Sequence, residues 1–134
     1  MTNKDFSSSY FRQAKTVLRE LMMDYEAGVW HLVVRRAQEA VELILKGFLR
    51  QGGFEIPRLH DVGLLLQKEK NRLPKDLVKE TDRILSISRR LFKERETSFY
   101  GDEEQEIPAS ELYTRIDADQ ARQDVEWLIQ FVPK

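Results

Sequence analysis

The stretch AGVWHLVVRRAQEAVELILKGFLRQGGF, residues 27–54, decides the fold class. Its apolar residues recur at every third or fourth position for about six turns, which is the spacing of an amphipathic α-helix. Gly52 and Gly53 follow this pattern and suit the left-handed turn that commonly ends a helix. The stretch therefore predicts a long central core helix.

Four further helical segments are predicted around this one. The first begins after the serines at 7–9, where Ser8 or Ser9 can cap it, and fades near residues 24–26. The third covers about 61–71, the fourth runs from Pro74 to about Phe99, and the fifth is capped by Asp117 and stopped before Pro133. Residues 101–113 lack periodicity and predict a solvated loop.

Helices of this length with short connections favour an all-α fold. We expect an antiparallel up-and-down bundle of four to five helices. The 134 residues make one domain's worth of chain, so a single domain over 1–134 with its core at about 8–132 is expected.

Composition excludes several classes of function. The 22 Lys and Arg residues balance 23 Asp and Glu residues, so the net charge of -1 gives no argument for nonspecific binding to nucleic acid. The absence of cysteine excludes disulfides, thiolate metal sites and cysteine nucleophiles. No apolar leader or membrane-length apolar run occurs, which indicates an unanchored, cytoplasmic protein.

No cofactor or metal is expected. The acidic residues at 102–106 lack the glycine and the ligand spacing of a calcium loop, and no glycine-rich phosphate loop occurs.

Arg95 is the residue that the predicted fourth helix does not explain. At 100° per residue it falls at about the same angle as Leu77, within the apolar arc that includes Ile84 and Leu91. An unpaired guanidinium is costly to bury, so an acceptor is required. The alternatives are a helix that frays near residue 94, a bridge to Glu42, an interface with another chain, and an anionic ligand.

Two segments carry a family resemblance. YEAGVWHLVVRRAQEAVELILKGFLRQGGFEIPRLHDVGLLL, residues 25–66, resembles the first half of a HEPN domain, with its AQEAVE core and its HD at the start of the next helix. RETSFYGDEEQEIPASELYTRIDADQARQDVEWLIQFV, residues 95–132, is similar to the second half. The resemblance implies a helical bundle, frequent homodimerisation and an association with nucleotides or RNA, in a prokaryotic protein.

Many members of that family are metal-independent ribonucleases with an arginine followed, after four to six residues, by a histidine. Many are toxins paired with a small nucleotidyltransferase-like antitoxin. Arg95 matches the motif's arginine by position, but Tyr100 stands where the histidine is expected, and neither His31 nor His60 completes the motif. A phenol with a pKa near about 10 is a poor general base at neutral pH.

The leading hypothesis is therefore a HEPN-type module that binds a nucleotide, RNA or a partner protein near Arg95 and lacks the family's ribonuclease activity. Its candidate ligand-binding residues are Arg95, Tyr100, Glu42 and Arg89. One alternative is a toxin-antitoxin component that cleaves RNA through Arg95 and Tyr100. Another is a pure interaction protein, one half of a pair with a nucleotidyltransferase-like chain.

Both histidines also have structural interpretations. His31 lies four residues before Arg35 on the less apolar face of the central helix, where a phosphate contact is conceivable but simple exposure is more common. His60 and Asp61 fit the start of the third helix, where an acceptor side chain satisfies free backbone amides.

Overall fold

The computed structural model describes residues 2–54 and 62–134, and these ranges fold almost entirely into helices. The predicted all-α class is confirmed. One isolated antiparallel bridge joins Asp102 to Ile107. The α-helices are α1 (Asn3–Glu26), α2 (Trp30–Gln51), α3 (Val62–Lys68), α4 (Lys75–Val78), α5 (Thr81–Lys93), α6 (Thr97–Tyr100), α7 (Ala109–Leu112) and α8 (Arg115–Ile129), with a 3-10 turn at Lys70–Arg72.

Helices α1 and α2 run antiparallel. Near one end, the Ser7 hydroxyl donates to the Gly47 carbonyl at 2.8 Å. Near the other end, the Arg36 guanidinium pairs with Glu20 at 3.4 Å and with Asp24 at 3.6 Å. Residue numbers increase along α1 in the direction in which they decrease along α2, so the two helices form a long antiparallel hairpin.

Gly47 allows the close approach of these helices. A Cβ atom built there would lie 2.4 Å from the ring of Phe11, which is buried. Phe11 in turn packs edge-on against Phe48, with ring centroids 5.0 Å apart. The sequence places a glycine where the hairpin has no room for a side chain.

The remaining main helices continue the up-and-down order. His31 and Arg35 of α2 contact Ser98 and Arg95, respectively, so the chain from α5 to α6 runs antiparallel to α2. Helix α8 runs antiparallel to α1, because Tyr25 bonds to Asp119 while Lys15 donates to the carbonyl of Pro133 at 3.4 Å. Helices α1, α2, α5 and α8 are therefore the four main members of the predicted bundle.

The core lies between these four helices, with α2 at its centre. Eleven α2 residues are buried, from Val33 to Leu49. Helix α5 contributes Ile84, Leu85, Ile87, Ser88 and Leu91, and α8 contributes Ala118, Ala121, Asp124, Val125 and Leu128. The apolar periods recognised in the sequence are thus the faces that pack.

The prediction of one continuous fourth helix from Pro74 to Phe99 was wrong. The segment is divided into α4, α5 and α6. At the second break, the amides of Glu94 and Arg95 bond to the carbonyls three residues earlier, at Leu91 and Phe92, which tightens the turn and ends α5. Of the alternatives considered for Arg95, a helix that ends near residue 94 is the one observed.

Other predicted boundaries also moved. Helix α1 starts at Asn3 under a Thr2 cap instead of after the serines, because Thr2 and Asp5 form a capping box. Thr114 caps α8, and Asp117 is the third residue of that helix, where its carboxylate bonds back to Thr114. The predicted loop over 101–113 contains the short helix α7. His60 and Asp61 lie outside the described residues.

Candidate functional site

Arg95 lies in the turn between α5 and α6, and its side chain is exposed. The angular argument that placed it on the buried arc assumed an unbroken helix, so that expectation was wrong. The guanidinium forms no hydrogen bond or ion pair with a residue in 2–54 or 62–134. It is an exposed cation available to a ligand.

Arg35 of α2 holds this turn in place. One guanidinium nitrogen, Nη1, donates to the main-chain carbonyl of Arg95. The Nε atom donates to Glu39 at 3.1 Å. The guanidinium carbon also lies 5.2 Å from the ring centroid of Phe99, which is a cation-π distance. A single α2 side chain thus contacts both sides of the short helix α6.

His31 lies one turn before Arg35 and contacts the same helix. Its Nδ1 atom is 3.2 Å from the carbonyl of Ser98, a buried residue. A carbonyl can only accept, so Nδ1 carries the proton in this contact. In the neutral ring Nε2 is then an acceptor, and it makes no hydrogen bond to a residue that the structure describes.

Two exposed aromatic rings complete the surface. Phe99 is 52% exposed and Tyr100 is 63% exposed, and their rings meet edge-on with centroids 5.1 Å apart. Gly101 follows at a φ of 80°, and the Asp102–Ile107 bridge closes the loop behind it. We call His31, Arg35, Arg95, Phe99 and Tyr100 the Arg95 surface.

The other two predicted site residues lie apart from this surface. Glu42 does not pair with Arg95; it pairs with Lys46 at 3.3 Å and accepts from Gln38 at 3.1 Å. Arg89 lies in a separate groove between α3 and α5. The predicted set is therefore split, with only Arg95 and Tyr100 at the two ends of α6.

A half-buried polar pair lies next to the Arg95 turn. The Tyr113 hydroxyl donates to the carboxylate of Glu94, which directly precedes Arg95. Burial, and then this hydrogen bond, raises the pKa of Tyr113 above its ordinary value. The phenol stays protonated at neutral pH and acts as a fixed donor that holds Glu94.

Within residues 2–54 and 62–134, no group of three or more His, Asp or Glu side chains is arranged to hold a metal ion. In the same ranges, no helix combines the length and apolarity needed to cross a bilayer.

Comparison of the chain with known protein families identifies the family to which it belongs. The model of the HEPN domain family matches residues 7–134. The chain belongs to the HEPN domain family. No curated protein matches it.

A solved structure shares the fold of this chain. The crystal structure of TT1696 from Thermus thermophilus is 26% identical in sequence and superimposes with a TM-score of 0.72. The match covers 94% of each chain. The similarity therefore extends over nearly the whole length of both chains.

Within this HEPN domain, the structure adds two residues to those selected from the sequence. Arg35 was not a candidate, and His31 was considered as the motif histidine and for a phosphate contact beside Arg35 but was not selected. The spacing of four residues was the available signal, because it places both side chains on one helix face. The meeting of this face with the α6 segment depends on contacts between residues 60 and 67 positions apart in the chain.

Proposed function

We propose that this HEPN domain binds a phosphate-bearing nucleotide or RNA at the Arg95 surface. The observation that carries the proposal is the bond from Arg35 to the Arg95 carbonyl, because it supports a turn whose guanidinium is exposed and has no ion pair among the described residues. Two exposed aromatic residues, Phe99 and Tyr100, follow on the next short helix. Family membership supports a role with nucleotides or RNA.

The chemistry of these side chains suits such a ligand. A guanidinium donates two parallel hydrogen bonds to a phosphate, and Arg95 has no competing carboxylate among the described residues. Exposed aromatic rings stack on bases, which contributes about 1–3 kcal/mol for each base. Phe99 and Tyr100, on the short helix that follows Arg95, therefore offer a contact to a base, and Arg95 offers one to a phosphate.

Calorimetry with AMP and adenosine tests this function. We expect wild type to bind AMP more tightly than adenosine. Arg95→Gln should weaken AMP binding by about tenfold, which is the effect expected from the loss of a single charge-assisted contact. Lys79→Gln removes an exposed charge from another part of the surface and is the matched control. Arg89→Gln tests the remaining candidate arginine. Equal affinity for AMP and adenosine, or unchanged AMP binding by Arg95→Gln, would contradict the proposal.

RNA cleavage is a second candidate function, and the position of His31 favours it. Its Nε2 atom is an acceptor in the neutral ring and lies on the residue that contacts α6. We propose that Nε2 takes the proton of a 2'-hydroxyl as the 2'-oxygen bonds to phosphorus and the bond to the 5'-oxygen breaks. Arg95 stabilises the charge on the phosphate oxygens, and the leaving 5'-oxygen takes a proton from Tyr100 or water.

Incubation of RNA with wild type in EDTA separates binding from cleavage. Cleavage that is lost in His31→Ala and Arg95→Gln supports the second function. His31→Asn, which retains a side-chain donor toward the Ser98 carbonyl, shows whether the loss reflects the base or the local fold. Intact RNA after incubation, together with AMP binding, leaves the binding function alone.

Partners and biological context remain predictions. Homodimerisation, a nucleotidyltransferase-like partner chain, a toxin-antitoxin role and a cytoplasmic location all rest on family resemblance or composition. Light scattering of the purified chain measures its oligomeric state, and co-purification from the native host identifies a second chain.

A further inference from the structure

The solvent face of α1 carries a row of positive charge remote in sequence from Arg95. Lys4, Arg12, Lys15 and Arg19 are all exposed. At about 100° per residue they fall within an arc of about 80°, and over about 22 Å of helix length. We call these four residues the α1 basic row.

A groove runs beside one end of this row. It has a volume of about 540 Å³ and lies between α1, the end of α2 and the residues after α8. Lys4, Arg12 and Lys15 line one wall, and Gln51 and Lys134 lie on the other elements. No acidic side chain of the described residues lines it.

The cations of the row are not held in ion pairs, although Asp5 lies close enough to Lys4 for an electrostatic attraction. The four cations form no ion pair with a residue in 2–54 or 62–134. Three of the four acids of α1 are engaged elsewhere, and the fourth, Glu26, is the last residue of the helix. Asp5 bonds to Thr2 in the capping box, and Glu20 and Asp24 pair with Arg36 of α2.

We propose that the α1 basic row and its groove bind the phosphodiester backbone of a single nucleic-acid strand. Four unpaired cations along one line match a repeating anion, and they gain free energy by releasing the strand's counterions. The Ser8 hydroxyl lies within the row and Gln51 faces the groove, so both can bond to phosphate or sugar oxygens.

The apolar face of α1 is buried in the protein, which argues against an anionic membrane as the partner of the α1 basic row. A helix that lies on a bilayer inserts apolar side chains next to its basic face. On α1, Phe11, Ala14 and Leu21 are buried in the bundle core. A flexible strand needs only the cations and the polar groups between them.

Anisotropy of fluorescein-labelled U12 and dT12, measured between about 0.05 and 0.5 M salt, tests the proposal. Four phosphate contacts predict a slope of about -3 for log K against log salt. Lys4→Gln/Lys15→Gln removes two contacts, so the slope falls to about -1.4 and affinity at 0.1 M salt drops about 20-fold. Lys75→Gln/Lys79→Gln removes two exposed lysines elsewhere and leaves both values unchanged.

The outcomes separate this proposal from the Arg95 proposal. Binding of U12 alone, or of both U12 and dT12, supports strand binding at the α1 basic row if the slope of log K against log salt is lower in Lys4→Gln/Lys15→Gln. The oligonucleotide that binds also identifies the kind of strand. An unchanged slope in this variant contradicts it, even if Arg95→Gln weakens binding. Absence of strand binding, or binding to phosphatidylserine vesicles in its place, overturns it. Circular dichroism melts verify that each variant is folded.

Discussion

The guanidinium of Arg35 donates to the main-chain carbonyl of Arg95, so a residue of the central helix contacts the turn that follows α5. The carbonyl of Arg95 is one of those left without an intrahelical partner at a helix end. Because Arg35 satisfies it, the turn before α6 is held against α2, and Arg95 projects from a supported segment.

Arg35→Ala is expected to loosen α6. It removes the bond to Arg95 and the contact with Phe99, which costs about 1 kcal/mol of stability. Amide hydrogen exchange at Ser98 to Gly101, whose amides bond within this turn, should accelerate.

Arg19→Ala, an exposed arginine on α1, is the control and should leave these amides unchanged. Exchange rates in Arg35→Ala equal to those of wild type would show that α6 is held by other contacts.

Asp124 is expected to be the most costly carboxylate to remove from α8. Its side chain is only 4% exposed and accepts from Arg90 at 3.1 Å and from Gln120 at 3.1 Å. Asp124→Ala leaves Arg90 unpaired, although that side chain is half exposed, so we expect a loss of about 2 kcal/mol in urea unfolding.

The control is Glu126→Ala, on the same helix. Glu126 is 49% exposed and pairs with Arg122 within one turn, so its loss should cost no more than about 0.5 kcal/mol. Equal effects of the two substitutions would refute the importance of burial here.

Gly101→Ala is expected to disturb the Arg95 surface through the backbone next to Tyr100. The new Cβ would lie 2.4 Å from the carbonyl oxygen of Ile107 at a φ that side chains rarely adopt. We expect a loss of at least about 2 kcal/mol and weaker AMP binding, since Tyr100 directly precedes the glycine.

Gly53→Ala separates the two causes of this loss. Gly53 also has a positive φ, but its added Cβ would meet nothing within 4 Å. It should show the conformational strain without the clash, and therefore a smaller loss. A Gly101→Ala protein as stable as Gly53→Ala would exclude the clash.

The raised pKa of the Tyr113 phenol predicts a loss of protein stability at alkaline pH. Its folded pKa is raised by burial and by Glu94, so the folded state keeps the phenolic proton after the unfolded chain has released it. The stabilisation is complete below about pH 10, the ordinary tyrosine value, and declines as pH rises further. The difference in unfolding free energy between wild type and Tyr113→Phe should therefore shrink from about pH 8 to about pH 11.

Glu94→Gln is the companion variant, because it keeps an acceptor for Tyr113 but removes the charge. The unfolding free energy of Glu94→Gln should decline less above about pH 10 than that of wild type. A difference between wild type and Tyr113→Phe that stays constant over the whole range would contradict the raised pKa.

The main helices were predictable because their signals are local. The three-to-four spacing from Val33 to Phe48 specifies a helix and its buried face without reference to the rest of the chain. The same reasoning identified the buried residues of α5 and α8. Arg95 and Tyr100 were selected by their positions relative to the family motif, and the structure places Arg95 just before α6 and Tyr100 at its last residue.

The break at Arg95 was not predictable from that spacing, because its causes lie far away in the chain. The apolar period continues past residue 93, but Arg35 satisfies the Arg95 carbonyl and His31 contacts the carbonyl of Ser98. The sequence by itself determined the all-α class, the central helix and the family pattern. Only the tertiary structure decided that Arg95 is exposed and which side chains surround it, because helix packing selects among the local conformations that a periodic pattern permits.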